Sequence, residues 1–240
     1  MIPELAALWR HLSGSPLLWL TATLAAFQAG TWLFERFGRR PLLHPVLTAV
    51  AALVVLLEAT GTGYDAYFGG ARFIHFLLGP ATVALAIPLY REIGLIRKAA
   101  APILLSLAAG SLVAVASAVG IARAFGGERA LLLSLSPKSV TTPIAMGISE
   151  QIGGLPSLTA VAVVLTGIGG AVFGGWVLDR VRVRDDAARG LAMGVASHGI
   201  GTARALQWNR TAGAFAALAM ALNGLLTALA LPFLVRWFGG

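Results

Sequence analysis

The chain has 240 residues, 58% of them hydrophobic and 12% charged, with a mean hydropathy of +0.82 and a formal net charge of +8. A soluble domain carries about 25% charged residues, so roughly half the usual charge is missing. This composition excludes a soluble globular enzyme, a disordered chain and a fibrous repeat. It predicts an all-α, polytopic transmembrane protein.

The charge is also unevenly placed. Residues 12–34, 41–57, 73–90, 99–122, 151–178 and 211–235 contain no Asp, Glu, Lys or Arg. Most of these windows approach the ~20 apolar residues that a helix needs to cross the hydrocarbon core. The cations cluster between them, as Arg36, Arg39 and Arg40; Arg91, Arg97 and Lys98; and Arg180, Arg182, Arg184 and Arg189. Short Lys/Arg clusters of this kind mark membrane loops and lipid headgroups, so the partner they imply is a bilayer and not a nucleic acid. There are no cysteines, hence no disulfides, thiolate metal sites or thiol nucleophiles. Only Arg10 precedes the first window and no A-x-A-like site follows it, so residues 12–34 read as a retained span.

Seven to eight segments are expected in chain order. The first is Pro16–Phe34, with Trp19 and Trp32 as interfacial anchors, and the second is Leu42–Thr60. A Gly-rich aromatic connector, Gly61–Gly70, leads to Phe73–Tyr90, which Gly79, Pro80 and Pro88 interrupt. Ala99–Ala122 is unbroken. Ala130–Ser149 is broken by Pro137 and Pro143 and carries one charge, Lys138. Leu158–Leu178 is crowded with Gly167, Gly169, Gly170, Gly174 and Gly175, read as close helix–helix contact. Gly190–Ala203 is short and holds Gly199 and Gly201, and Thr211–Val235 closes the series. The whole chain reads as one transmembrane domain, with N-terminal spans over 1–60 and a broken-helix transport unit over 71–240.

Breaks free backbone groups that lipid cannot satisfy, so they persist where protein or a water-filled cavity receives them. Several broken segments in one chain point to a transport site. Pro80-Ala81-Thr82-Val83 and Pro137-Lys138-Ser139-Val140 share a Pro-x-hydroxyl-Val pattern, a faint echo of an internal repeat. Orientation turns on Ala130–Ser149. If every segment crosses, the loop cations divide eight against nine. If that segment enters and leaves on one face, they divide eleven against six, with the N-terminus outside.

Lys138 is the most informative residue. Burying its ammonium costs about 2.5 kcal/mol or more, so an intramembrane lysine is a functional candidate. Pro137 stops the incoming helix, and Ser136 or Ser139 can cap a new half-helix whose N–H groups attract anions. Lys138 with Ser139, Thr141 and Thr142 makes a cradle for one small carboxylate. The competing reading is a snorkelling lysine beside an ordinary kink. His198, flanked by Ser197, Gly199, Gly201 and Thr202, could contact substrate, move a proton or bond a freed carbonyl. Thr82 beside the Gly79-Pro80 break would complete the cavity. Glu58 is expected at the interface and is a candidate coupling carboxylate. Asn223 reads as interhelical packing glue. No zinc motif, paired carboxylates or phosphate loop is present, so neither an enzyme nor a cofactor or metal is expected.

The stretches Tyr64–Gly70 and Leu77–Tyr90, then Ser136–Ala145, then Ala196–Ala203, closely resemble the LrgB/CidB family of bacterial membrane proteins. The resemblance covers nearly the whole chain and implies a multi-pass protein of the bacterial cytoplasmic (inner) membrane. It implies two roles. One is control of murein hydrolase activity and cell lysis with a small, holin-like LrgA/CidA partner. The other comes from the plastid glycolate/glycerate translocator, whose C-terminal half is similar, and is transport of short 2-hydroxy or 2-oxo carboxylates. The residues favour the second: a secondary carrier of glycolate, glycerate, lactate or pyruvate, with Lys138 binding the carboxylate and His198 with Thr202 the neighbouring oxygen. A homodimer is expected from the Gly- and Ala-rich faces.

Overall fold

A computed structural model describes residues 14–38, 43–84 and 86–238; the expectations for Arg10, Arg39 and Arg40 lie outside them. Eleven helices are present among the described residues: α1 (Pro16–Arg36), α2 (Pro45–Thr60), α3 (Tyr64–Ala84), α4 (Ala86–Arg91), α5 (Ile93–Lys98), α6 (Ala100–Ala124), α7 (Arg129–Leu135), α8 (Thr142–Ile152), α9 (Pro156–Arg180), α10 (Asp186–Trp208) and α11 (Arg210–Phe238). Four of them, α1, α6, α9 and α11, are long and apolar enough to cross a membrane, and α2 is apolar but shorter. The chain divides into two compact units, residues 1–84 and 85–240.

In the first unit, α1 packs against α2 and α3. Trp19 is fully buried and meets the Tyr67 ring edge-on at 5.9 Å, while Thr23 Oγ1 lies 3.2 Å from the Tyr67 hydroxyl. Gly70 lets α3 press on Pro16 and Trp19 of α1. These contacts explain why Tyr64–Gly70, expected as a connector, is instead the start of α3: its aromatic side chains pack onto α1 only when placed at helical spacing. The break expected at Gly79-Pro80 is also absent, and α3 continues through Pro80 to Ala84. A proline removes one helical hydrogen bond without ending an apolar helix whose remaining bonds are intact.

The second unit contains two chain reversals. Between Ser134 and Leu155 a straight helix would rise about 31 Å. Instead Leu155 N–H donates to Ser134 Oγ at 2.7 Å, and Thr159 Oγ1 lies 2.9 Å from Ser134 O and 2.7 Å from Ser149 Oγ. Thus α7 and α8 form a short helical hairpin whose tip is the non-helical stretch 136–141. The second reversal lies inside α10. Ser197 (φ −134°, ψ 15°) and His198 (φ 41°, ψ −131°) leave helical geometry, splitting it into two short arms. Arg189 and Trp208 would be about 28 Å apart along a straight helix. Their side chains stack instead, with the guanidinium 4.9 Å from the ring centroid, and Met193 clusters with Ala205. The second hairpin therefore has its tip at Ser197-His198.

The hairpins approach from opposite ends of α9. Thr159, near its start, touches the first hairpin; Val163 touches both tips; Gly170, Gly174 and Gly175 receive Ser197, Met193 and Trp208 in turn; and Asp179, near its end, pairs with Arg189 at 2.6 Å. Gly167, Gly170, Gly174 and Gly175 make close helix–helix contact, as expected, whereas Gly169 faces open space. α11 runs the other way, from the base of the second hairpin to the base of the first. Gly190 and Gly194 pack on the Ala212 and Ala216 carbonyls, while Ala145 and Ile148 cluster with Leu231. α6 follows α11 in parallel, with Ile103 and Leu107 against Phe215 and Ala219, and Ser111 within 3.5 Å of Thr227.

The order helix–hairpin therefore occurs twice. α6 and α9 each have 25 residues; α9 starts 56 residues after α6, and the second hairpin starts at Asp186, 57 residues after Arg129. α6 and α9 run antiparallel, so the two copies are inverted. The repeat joins 100–152 to 156–208, not the Pro80 and Pro137 motifs whose likeness suggested one, because Pro80 lies within a continuous helix.

Close packing makes a prediction. A Cβ at Gly194 would fall on the Ala216 carbonyl oxygen, whereas Gly120 of α6 faces open space. Gly194→Ala should destabilise the fold by about 1–3 kcal/mol and lower the thermal midpoint in detergent, while Gly120→Ala should leave it unchanged or raised.

Candidate functional site

The two tips meet beside Val163 of α9 and Asn223 of α11. Asn223 lies about 20 Å from either end of its helix, in the middle of α11. In the first tip, Lys138 N–H reaches Leu135 O and Val140 N–H reaches Pro137 O, each at 3.2 Å, so the chain makes one further turn before α8 begins. This turn corrects the expected cap. Ser136 Oγ donates back to Leu133 O at 2.7 Å, Ser139 Oγ faces Lys138, and the N-cap position of α8 is Thr141, with Pro143 in the first turn. Thr141 and Thr142 are half-buried at the mouth of that turn.

Lys138 is half-buried, with Nζ 3.4 Å from Ser139 Oγ. Among the described residues no carboxylate forms an ion pair with this ammonium; Arg189–Asp179 and Arg210–Glu92 lie elsewhere. Ser139, next to Lys138, and Val195, three residues before His198, are bridged by the Asn223 amide. The sequence-predicted pair thus belongs to one place, supplied by two hairpins 60 residues apart in the chain.

His198 is 5% exposed, and its Nε2 lies 3.0 Å from Val163 O. A carbonyl only accepts, so Nε2 carries the proton. Gly167 makes this contact available, since a Cβ there would meet the imidazole Cε1 and Nε2. The ring therefore also braces the second tip against α9. Thr202 Oγ1 donates to His198 O at 2.9 Å, on its own arm, so its hydroxyl proton is engaged by the break and is not held out toward a ligand. Gly199 and Gly201 follow the break; Gly201 rests against Met193 O of the facing arm, an approach that a Cβ would prevent.

Asn223 is the residue that sequence reasoning undervalued. It is 1% exposed, and its Nδ2 donates to Ser139 O at 3.4 Å and to Val195 O at 3.3 Å. Val195 O loses its regular helical donor because the chain turns away at Ser197-His198. Ser139 O lies in the unwound first tip. One amide thus satisfies a freed carbonyl in each hairpin. Its Oδ1 is buried without a hydrogen-bond partner. The available signal was its position: one amide at the centre of a charge-free window, opposite two broken segments.

The other expected residues lie elsewhere. Gly79, Pro80 and Thr82 are on α3 of the first unit, while the second unit carries both tips. Glu58 is exposed near the end of α2, as an interfacial carboxylate would be. No group of acidic, His or Cys side chains suited to a metal occurs among the described residues.

Residues 23–237 match the model of the LrgB-like family. Over 216 residues the chain is 39% identical to Bacillus subtilis (strain 168) "Uncharacterized protein YxaC", covering 90% of this chain and 94% of that one. It is 38% identical to "Uncharacterized protein YwbG" of the same organism over 91% and 96% of the two chains. It is 32% identical to "Antiholin-like protein LrgB" of Bacillus cereus (strain B4264) over 94% and 98%. No solved structure matches. The match spans all three motifs, both hairpins and the helices that hold them, and the chain belongs to the LrgB-like family.

Proposed function

We propose that the chain is a membrane carrier of small monocarboxylates, with its site between the two opposed hairpin tips. The observation that carries this reading is Lys138: an ammonium without a carboxylate partner, half-buried at a helix break in the interior of the fold. A retained, unpaired intramembrane charge calls for a ligand of opposite sign. The free N–H groups at the start of α8 add partial positive charge on the same side. Lys138 would bind the carboxylate, with Ser139, Thr141 and Thr142 around it, and His198 Nδ1 would face the rest of the molecule. Inverted repeats meeting at a central site are the arrangement on which alternating access is built. The two helix–hairpin copies would expose the tips to each face in turn.

The relatives favour another reading. Their printed name, antiholin-like protein LrgB, supports a lysis-regulating membrane component, the reading for which the family resemblance implies an LrgA/CidA-like partner. In that reading the breaks are packing features and Lys138 lies at a protein interface. The carrier reading rests on geometry alone. A bacterial inner-membrane location suits both.

Two experiments test these readings. The absence of cysteine allows single cysteines to be placed freely. With re-entrant hairpins, Phe125→Cys and Leu155→Cys should react with an impermeant maleimide from one face, and Val181→Cys and Gln207→Cys from the other. All four positions are exposed. Labelling of Phe125→Cys and Leu155→Cys from opposite faces would mean that residues 129–152 cross. Purified protein in proteoliposomes should take up radiolabelled glycolate or pyruvate saturably, and Lys138→Ala should reduce uptake at least tenfold while remaining folded. No saturable uptake under either direction of proton gradient, together with partner-dependent lysis in cells, would establish the antiholin-like reading instead.

A further inference from the structure

We propose that the face of the second unit at the base of the second hairpin is a docking surface for acidic phospholipid headgroups, and that this face lies in the cytoplasm. The proposal is independent of the carrier reading and needs only that the long apolar helices cross a bilayer.

α6 and α11 start on this face, α9 ends on it, and α10 both begins and ends there. The pairing of Glu92 with Arg210 at 3.4 Å brings the junction of α4 and α5 to the same place. Of the thirteen Lys and Arg residues in the second unit, nine lie at these ends and in their flanking loops. Three lie at the opposite ends, Arg123, Arg129 and Arg236, and the last is Lys138. The acids of the cation-rich face are mostly engaged. Asp179 pairs with Arg189 at 2.6 Å, Glu92 holds Arg210, and Asp185 accepts from Ala188 N–H at the start of α10, which leaves Asp186. Among the described residues no carboxylate forms an ion pair with Arg91, Arg97, Lys98, Arg180, Arg182 or Arg184, and all six are exposed. Cations at the ends of apolar helices stand at the level of the lipid headgroups, where a phosphodiester supplies the missing charge.

The surroundings of these cations suit a bilayer. α5 interleaves exposed Ile93 and Leu95 with Arg97 and Lys98, the mixture found where chain lies in the interface. Trp176 is exposed one turn before Arg180 on α9, as an interfacial aromatic is. The turn after α9 adds an independent sign. Arg182 has φ 61°, the left-handed position from which its N–H reaches Asp179 O while Val183 N–H reaches Leu178 O. At four other helix ends the residue with positive φ is a glycine: Gly38, Gly61, Gly126 and Gly153. Glycine takes this conformation without strain, and arginine does not. Val183 packs inward against the cluster of Leu178, Met193 and Ala205, which leaves Arg182 and Arg184 exposed on either side of it. An arginine kept at a glycine position is kept for its guanidinium, and the headgroup layer is what that guanidinium meets. The same distribution sets the orientation, because Lys and Arg collect on the cytoplasmic side of membrane helices.

The test is displacement of a fluorescent phosphatidylglycerol from the purified full chain in detergent. Unlabelled phosphatidylglycerol should displace it at a concentration about tenfold below that of phosphatidylcholine, and inorganic phosphate should not displace it. Arg180→Gln, Arg182→Gln and Arg184→Gln together should weaken binding about tenfold, whereas Arg123→Gln with Arg236→Gln, at the opposite ends, should change it less than about twofold. Arg182→Gly alone should weaken binding about threefold and melt no lower than the unaltered chain in delipidated detergent, which separates lost binding from lost fold. Equal displacement by the two lipids would overturn the proposal and assign the six cations to an acidic protein segment. Equal loss in the two sets of variants, or displacement by inorganic phosphate, would overturn it as well. In intact cells Phe125→Cys should react with an impermeant maleimide at once, and Gln207→Cys only after the membrane is opened. The reverse pattern would overturn the cytoplasmic placement.

Discussion

A helix can be broken inside an apolar fold only if its freed carbonyls find donors, and much of the second unit is arranged around that requirement. Asn223 supplies two of them, one to each hairpin tip. Thr202 donates to His198 O, and His198 in turn reaches Val163 O. At the other end, the fully buried hydroxyls of Ser134, Ser149 and Thr159 tie the first hairpin to the start of α9. An unsatisfied group in such surroundings costs as much as a small domain can spare, so these side chains hold the reversals in place. The glycines of α9 and α10 supply the complementary condition. Their missing side chains bring backbone close enough to backbone for such short polar groups to reach across.

The sequence made the composition, the long apolar helices and the positions of both tips legible. Pro137 with its hydroxyl neighbours, and Ser197-His198-Gly199, marked the breaks because their local chemistry is opposed to a continuous apolar helix. It did not reveal that the chain reverses there. A window of 20 apolar residues has the same composition whether it crosses straight or folds into two arms, and the difference lies in contacts such as Ser134 with Leu155. Pro80 misled in the opposite sense, since α3 continues through it despite the hydrogen bond it removes. Asn223 was read as packing, and it does pack. Its importance depends on what stands opposite it, which one sequence position cannot disclose.

The site and the family membership bear on function from different directions. Membership is shared by proteins named for lysis control, while the tips present an unpaired ammonium, a buried imidazole and an orphaned amide oxygen. Control of lysis and passage of a small anion are also compatible in principle, because moving a weak-acid anion alters the conditions across the membrane in which lysis is regulated.

The contact between Ser139 and Asn223 closes over 84 residues of chain. During synthesis the first tip emerges long before the helix that satisfies it. Its arms, of 7 and 11 residues, are each too short to be held in a bilayer as a span. The carbonyl of the first tip therefore gains its Asn223 donor only once α11 is in place. A chain truncated before Asn223 would keep α1, α6 and α9 while leaving both tips without that donor.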